Sequence, residues 1–522
     1  MSAIVALISI PTMCDALYDD TQNSVSYEGI EFTIVDGDKV ELTEVTDPDL
    51  KTLIIPAAFD KDGRTYHVIG IDASVLYHNF INRIEIPSTV TYIKGHFYGL
   101  VALEWFEVDP SNEHLCSIDG VLFDINMMTI MAYPISKPDK AYDIPDAVTV
   151  ISEYCFSSAE NLESVTMSDK IVLIGMYAFD ICRSLEKINH DGAINRLPSM
   201  LRIIGEGAFN GCEKLTNVEL PESLMVIGSN AFNECIGLTS MSIPYEVVDI
   251  GSGFLSRCIN ISSIEVSDFS AYFESRDGVM YYKHSNSSSV SLHTYPCGKP
   301  GKSFKVPDDV NAIDSMAFSG TVHLEKLTLS NNMKSIGSYA VFGCETLKEV
   351  YIPSSVMSIG NMAFSMCSNL TTVNGGNNVS VIEILAFSST NLTSAFLPDS
   401  LRIIEPYAFN RNPGITEVTL PVSVESVGIG VFSDCLNLTT ITILGSDTVL
   451  MEGSLGVGVE DHVVEVQVNI QSDMHLPDNV FDEYTIGHVS IIGEEPYPYE
   501  NLIGVAICLL VLFFIIRLFR EV

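Results

Sequence analysis

Positive charge is scarce in this chain. Lys and Arg number 27 against 67 Asp and Glu, a net charge of −40 over 522 residues. Phosphate recognition needs clustered Lys and Arg, so a nucleic-acid partner is excluded. Charged residues of both signs make up only 18% against 47% hydrophobic, which excludes disorder and requires a large buried core. Chemical signatures are missing as well. The twelve cysteines contain no CxxC pair and the eleven histidines no HExxH or other paired spacing, so no metal is expected. No GxSxG elbow, phosphate loop or dinucleotide fingerprint occurs, and no helical pattern follows Gly456-Val457-Gly458. Asp36-Gly37-Asp38 lacks the later ligands and closing Glu of a calcium loop. Carboxylates are too numerous for any pair to stand out as acid and base. These absences point to a non-enzyme without cofactors, whose acidity serves solubility.

The two ends suggest a compartment. Leu502 to Ile516 is an unbroken apolar run. Counted through Phe519, it approaches the ~20 residues a bilayer requires. Tyr497 and Tyr499 lie where an interfacial aromatic belt would sit, and Arg517 and Arg520 mark the inner side. A transmembrane helix is therefore expected over 501–520, with a short cytoplasmic tail and no cell-wall sorting signal before it. Ala3 to Ile10 reads as the apolar segment of a signal peptide over 1–16, although the first basic residue is Lys39 and the usual positive leader is missing. Together these place the intervening chain outside the cell.

Self-similarity is the strongest signal present. The phrase Ile-Gly-x-x-Ala-Phe occurs at Ile174 to Phe179, Ile204 to Phe209, Ile227 to Phe232 and Ile359 to Phe364. Looser copies end at Phe156, Phe254, Phe318, Phe342, Phe387, Phe409 and Phe432, mostly 22 to 24 residues apart. Each unit continues as Leu-x-x-Ile-x-Ile-Pro, as in Leu238, Met241, Ile243 and Pro244. The alternating apolar pair predicts a short strand that the proline ends. The glycine suits a tight turn or a close approach of backbones, though Asp314, Glu383 and Glu405 replace it in some copies. One such unit cannot bury its own apolar face, so the units must stack with their strands in one parallel sheet.

These residues resemble the BspA-like leucine-rich-repeat family of surface proteins, over roughly residues 50 to 443. The resemblance implies a repeat solenoid with a parallel sheet on one face, and adhesion to host or neighbouring cells for some relatives. Two inserts copy one another, at about 107–143 and 267–305. Asp119-Gly120-Val121 matches Asp277-Gly278-Val279, Tyr133-Pro134 matches Tyr295-Pro296, and Lys137-Pro138 matches Lys299-Pro300. Asp-Gly before alternating apolar residues predicts hairpins projecting from the coil. The expected division is a β cap with degenerate repeats over 17–83, repeats over 84–443, and a C-terminal cap or stalk over 444–496.

Seven cysteines, Cys182, Cys212, Cys235, Cys258, Cys344, Cys367 and Cys435, follow a repeat Phe by two to four residues and read as a ladder of buried free thiols. Disulfides between rungs are geometrically compatible. His67, His96 and His323 read as rim residues. Six sequons begin at Asn260, Asn286, Asn369, Asn378, Asn391 and Asn437 and are candidate glycosylation sites; the repeat itself also generates Asn-Leu-Thr. The residue between the paired apolar strand positions points away from the core. That rule puts Glu219, Ser242, Glu265, Thr328, Tyr351, Asn374, Phe396 and Thr419 on one sheet face, with Tyr351 and Phe396 as aromatic anchors. The expected function is binding of an extracellular protein or glycan through that face, with the membrane held through Leu502–Phe519. The alternative is a glycosylated coat or spacer element without a specific ligand.

Overall fold

The computed structural model describes residues 24–76, 80–284, 289–445, 448–451, 453–456, 462–469, 480 and 485–492. The expected signal peptide and membrane helix both lie outside them. No helix long and apolar enough to cross a membrane is present among the described residues. Two compact units divide the chain, Met1–Leu185 and Glu186–Val522.

The first unit opens on an antiparallel meander, Ser24–Tyr27, Ile30–Asp36 and Lys39–Val45. Arg64–Asp72 joins it in parallel, and Tyr92–Lys94 pairs in parallel with Arg64–Asp72. Tyr27, Phe32 and Tyr66 all pack on Phe59, with ring centroids 4.8 to 5.5 Å apart. From this platform the chain winds into coils.

In the second unit most coils carry two strand positions, not one. Face strands such as Ser240–Ile243 and Ser263–Val266 pair in parallel, as do Lys326–Thr328, Glu349–Ile352 and Thr372–Gly375. A second parallel ladder is built from two-residue strands at the repeated Ile before the glycine, running from Ser358–Ile359 through Val381–Ile382, Ile403–Ile404 and Ser426–Val427 to Val449–Leu450. The single continuous sheet expected from the sequence is thus replaced by two ladders, and the face ladder is segmented. The glycine explains the second ladder. A Cβ on Gly228 would lie 2.3 Å from the Glu206 nitrogen, and one on Gly360 2.6 Å from the Ile336 oxygen, so the backbones of successive coils touch there. Where carboxylates replace this glycine they become partners: Glu383 accepts from the Asn361 N–H at 2.9 Å and Glu405 from the Ile384 N–H at 3.0 Å.

The Phe residues form a column. Phe156 stacks on Phe179 at 4.7 Å in the first unit; in the second, Phe209 stacks on Phe232 at 5.2 Å and Phe364 on Phe387 at 5.3 Å. Two positions in the column differ from the sequence reading. Phe232 donates its N–H to Phe254, just as Phe209 does to Ala231, so Phe254 fills the alanine slot and Leu255 the phenylalanine slot. Val341 likewise takes the place expected for Phe342 and is fully buried, while Phe342 is only half-buried. Left-handed residues flank the slot two positions before and after. They are Tyr177 and Ile181 around Phe179, Asn230 and Glu234 around Phe232, and Leu385 and Ser389 around Phe387, all with φ between 53° and 58°. Glycine takes the same places at Gly211, Gly253 and Gly430. With that register every ladder cysteine follows its slot by three.

The cysteines are more than small apolar filler. Sγ of Cys182, Cys235, Cys258, Cys344, Cys367 and Cys435 each donates to a backbone carbonyl 26 residues earlier, at 3.0 to 3.2 Å. Asn412 occupies the same slot in one coil. It is fully buried, and its Nδ2 donates to the carbonyls of Phe387 (2.7 Å) and Phe409 (2.9 Å), while its Oδ1 accepts from the Thr390 hydroxyl.

The inserts do not project. Val121, Leu122 and Phe123 are fully buried, as are Val279 and Met280. Asp119-Gly120 and Asp277-Gly278 make tight turns with positive φ at both residues, as expected of Asp-Gly hairpins. Each turn folds down on the neighbouring strand, with the Gly120 carbonyl accepting from Phe106 and the Gly278 carbonyl from Ile264, both at 2.9 Å. The third strand of each insert, Thr129–Ala132 and Val290–Thr294, then pairs in parallel with the next coil. An apolar alternation long enough for three strands must be covered, and the coil edge covers it. Lys137 and Lys299 pin the turns. Lys137 is buried between Asp119 (3.6 Å) and Asp139 (2.6 Å), and Lys299 lies 3.1 Å from Asp277.

Asn412→Ala removes one partner each from the Phe387 and Phe409 carbonyls and the Thr390 hydroxyl, which keep the Thr390–Phe387 and Cys435–Phe409 bonds, and is expected to lower stability by about 1–2 kcal/mol. Asn412→Cys, which restores the donor used in neighbouring coils, should recover most of that loss in urea titrations of both variants.

Candidate functional site

The face ladder places most of the anticipated residues where the alternation put them. Glu219, Ser242, Glu265, Tyr351, Asn374 and Thr419 are exposed and Thr328 is half-buried. Thr328, Tyr351 and Asn374 stand in one register row, and Ser242 beside Glu265 in another. Scarce lysines gather on this stretch. Lys326 pairs with Glu349 at 2.9 Å, and Glu325 is held between Lys302 (2.8 Å) and Lys348 (2.9 Å). Hydrogen bonds from these two lysines pull the Glu325 carboxyl down to about 2.

Phe396 is the exception. It is only 8% exposed, against 39% for Tyr351, and packs in the core 6.0 Å from the Phe387 ring. No strand forms at 393–397. On the face side the hydrogen bonds to the coil before end at Thr393, whose N–H and hydroxyl both donate to the Thr371 carbonyl at 3.3 Å. Beyond them the chain dips inward, taking Phe396 with it. Gly375 and Gly376, with φ of 82° and 67°, turn the preceding coil away. A Cβ on Gly376 would lie 2.4 Å from the Phe396 ring, so that glycine makes room for it.

This break in the ladder leaves a cleft of about 590 Å³. Its walls carry Thr372, Asn374 and Asn377 from one coil and Thr393, Ser394 and Asp399 from the next. A Cβ on Gly375 would lie 3.1 Å from the Tyr351 ring, which puts that half-exposed aromatic at the cleft's border. Hydroxyls, amides, one carboxylate and an adjacent ring can hydrogen-bond and stack on a polar ligand. Nothing in this set supplies a nucleophile with its base. The alternation rule found Tyr351 and Asn374 but not the cleft, whose only sequence signal is the Gly-Gly pair standing where other copies have Ile-Pro or Leu-Pro.

Several of the remaining candidates have structural partners. Nδ2 of Asn260, Asn369, Asn378 and Asn437 donates to a carbonyl 24 residues earlier at 2.7 to 2.8 Å. Asn332, outside any sequon, does the same toward Asp308. The asparagine is thus a coil-to-coil tether, which accounts for its recurrence in the repeat. Asn391 is exposed, and Asn286 lies outside the described residues. His67 and His96 sit on the rim, paired with Asp38 (4.0 Å) and Glu153 (3.3 Å). His293, unremarked in the sequence, is buried; burial lowers its pKa and raises that of Asp314. The Ser291 hydroxyl donates to Asp314, but the His293 ring faces the Ile250 carbonyl and the Thr294 hydroxyl, so no Ser–His–Asp relay exists there. Burial pushes the thiols of Cys182, Cys297 and Cys435 up to about 12, so they stay protonated and unreactive near neutrality. No cluster of three His, Cys, Asp or Glu fit for a metal occurs among the described residues.

Parallel face strands, a column of stacked rings and a repeat near 23 residues define a leucine-rich-repeat solenoid. The BspA type leucine rich repeat region matches residues 133–199, 194–294, 295–415 and 342–455 in six copies, and the chain belongs to that family. Among solved structures it is similar to a leucine rich cell surface protein from Faecalibacterium prausnitzii (22% identity, 82% of this chain and 96% of that one, TM-score 0.47). It is also similar to the pneumococcal vaccine antigen PcpA (18%, 91% and 99%, TM-score 0.41) and to a leucine-rich repeat protein from Bacteroides ovatus (20%, 91% and 100%, TM-score 0.38). No functionally curated protein matches the chain. No enzyme family is indicated.

The two aromatic anchors should separate on truncation. Phe396→Ala opens a core cavity and is expected to cost about 3–5 kcal/mol. Tyr351→Ala should stay within about 0.5 kcal/mol of the parent in the same denaturation assay.

Proposed function

We propose that this chain is a non-catalytic surface protein that binds a glycan or an extracellular protein through the face ladder, centred on the cleft between residues 371–377 and 393–399. The observation that carries this reading is the break in the segmented face ladder at 393–397, where the chain dips inward and opens a cleft. A repeat needs no such break to fold, and here the break creates a polar concavity beside an exposed tyrosine. Hydroxyl and amide walls with a ring at the border suit a sugar, whose hydroxyls take paired hydrogen bonds and whose C–H face stacks on an aromatic. The acidic character of the chain disfavours anionic ligands.

The test is a glycan and matrix-protein panel probed with the purified parent, Tyr351→Ala, Asn374→Ala and Glu219→Ala. The first two variants are expected to lose at least tenfold in affinity with unchanged melting temperature, while Glu219→Ala binds as the parent does. A parent that binds nothing on the panel would instead favour a spacer or coat element, with sugars carried on the sequon asparagines.

Anchoring through Leu502–Phe519, with the repeats outside the cell, belongs to the same proposal; its support is the apolar run and the flanking arginines. Protease treatment of intact cells should remove the repeat region and leave a small membrane-bound stub. Full protection until lysis would reverse the topology and end the adhesion reading.

A further inference from the structure

A second cavity, of about 440 Å³, lies in the first unit at the turn edge of its coils, away from the face strands. Its walls are aromatic. His96 and Tyr98 come from the coil before the first insert, Tyr154 from the coil after it, and Tyr177 and Asp180 from the coil beyond. Tyr154 stands in the middle, 4.8 Å from His96 at an interplanar angle of 40°, 5.6 Å from Tyr98 at 52°, and 5.1 Å from Tyr177 at 17°. The four rings thus form one packed cluster that lines the space. Two carboxylates accompany them: Asp180, which is 6% exposed, and Glu153, 3.3 Å from the His96 ring nitrogen.

The cavity follows from the insert. Tyr133 occupies the ring column there, stacked on Phe156 at 5.0 Å, but Pro134 follows it directly and the flanking left-handed residues of other coils are absent. The turn edge is indented at that level. The second insert, with Tyr295-Pro296 stacked on Phe318, makes the same indentation, yet there Met316 reaches across, its sulfur 2.6 Å from where a Gly253 Cβ would be. A flexible thioether bridges one indentation, and three tyrosines and a histidine line the other.

We propose that this aromatic pocket binds an alkylammonium group, such as the ε-ammonium or methylated ammonium of a lysine side chain. Tyrosine faces attract a cation through their quadrupole, and several rings gathered at one apolar recess favour compact ammonium groups. Asp180 adds negative charge at the wall and Glu153 adds it behind His96, and the chain's net charge of −40 concentrates cations around it. An anion meets the same carboxylates as a penalty, and a neutral sugar would find few hydrogen-bonding groups on the ring walls. The proposal is independent of the face cleft, which lies in the other unit.

The left-handed register supplies a clean test. Tyr177 has φ of 53°, and glycine holds the same slot in other coils, so Tyr177→Gly removes a wall while relaxing the backbone. The purified full chain is titrated calorimetrically with N-acetyl-lysine methylamide, its trimethyl-lysine form, the neutral norleucine counterpart and tetramethylammonium. Both lysine forms are expected to bind at least tenfold more tightly than norleucine. Tyr177→Gly and Tyr98→Leu should each weaken that binding tenfold at unchanged melting temperature, while Tyr407→Gly, at the same slot in the second unit, leaves it intact. Competition by tetramethylammonium assigns the site to the bare cation, and its failure to compete assigns it to a lysine side chain. Norleucine binding as tightly as lysine, binding unaltered in both pocket variants, or no lysine binding at millimolar concentration would each overturn the proposal.

Discussion

Every feature of this protein depends on one constraint: a coil of about 23 residues cannot satisfy its own backbone or cover its own apolar side chains. The coils before and after must do both. The repeated positions are the contacts by which one coil accepts the next. Glycine after isoleucine lets backbones touch, as at Gly228 and Gly360. Slot residues such as Phe387 stack on the ring before and the ring after. Cys235, Asn412 and Asn437 hand side-chain hydrogens to carbonyls of the coil before. None of these contacts is strong alone. Repeated coil after coil, they hold successive backbones at strand spacing with little freedom to shear.

That constraint explains why the fold was legible from one sequence and why its detail was not. Period, strand alternation and the duplicated inserts all follow from contacts that recur, and recurrence is visible without an alignment. Register within a single copy is different. Phe254 and Phe342 look like slot residues because they are phenylalanines, yet the backbone bonds at the slot put Leu255 and Val341 there. The slot is specified by its distance from the cysteine, and counting three residues back from Cys258 and Cys344 finds it where residue type misleads. Phe396 failed for another reason. Alternation assumes a strand, and the Gly375-Gly376 turn ended the ladder before that strand could form.

The same constraint separates structural from functional polarity. Cysteine, asparagine and threonine invite readings as nucleophiles, ligands or sugar acceptors, and in a regular stack most of them are tethers. The exchange of Cys for Asn at position 412, both donating to the carbonyl of the coil before, shows that the slot selects a donor and not a thiol. A donor requirement is hard to see when one residue type dominates; it becomes visible only in the copy that departs from it. Asn332, tethering without a sequon, makes the same point for the asparagines.

The places fit for recognition are those where stacking is interrupted. A perfect repeat offers a ligand a uniform surface, since each coil presents the same groups as its neighbour. Specificity needs a position unlike the others, and the coil geometry allows few ways to make one. A coil can dip inward, as at 393–397, which opens a polar cleft without disturbing the ring column that passes through Phe387 and Phe409. Or an insert can replace a coil on one edge while keeping a ring in the column, as Tyr133 does on Phe156, which leaves an indentation where the turn was. Both devices preserve the core contacts and alter only the rim, so lining residues such as Asn374 or Tyr98 can change without loss of the fold. The Met316 and Tyr154 versions of one indentation show this freedom within a single chain: the same backbone gap is bridged in one copy and lined with rings in the other.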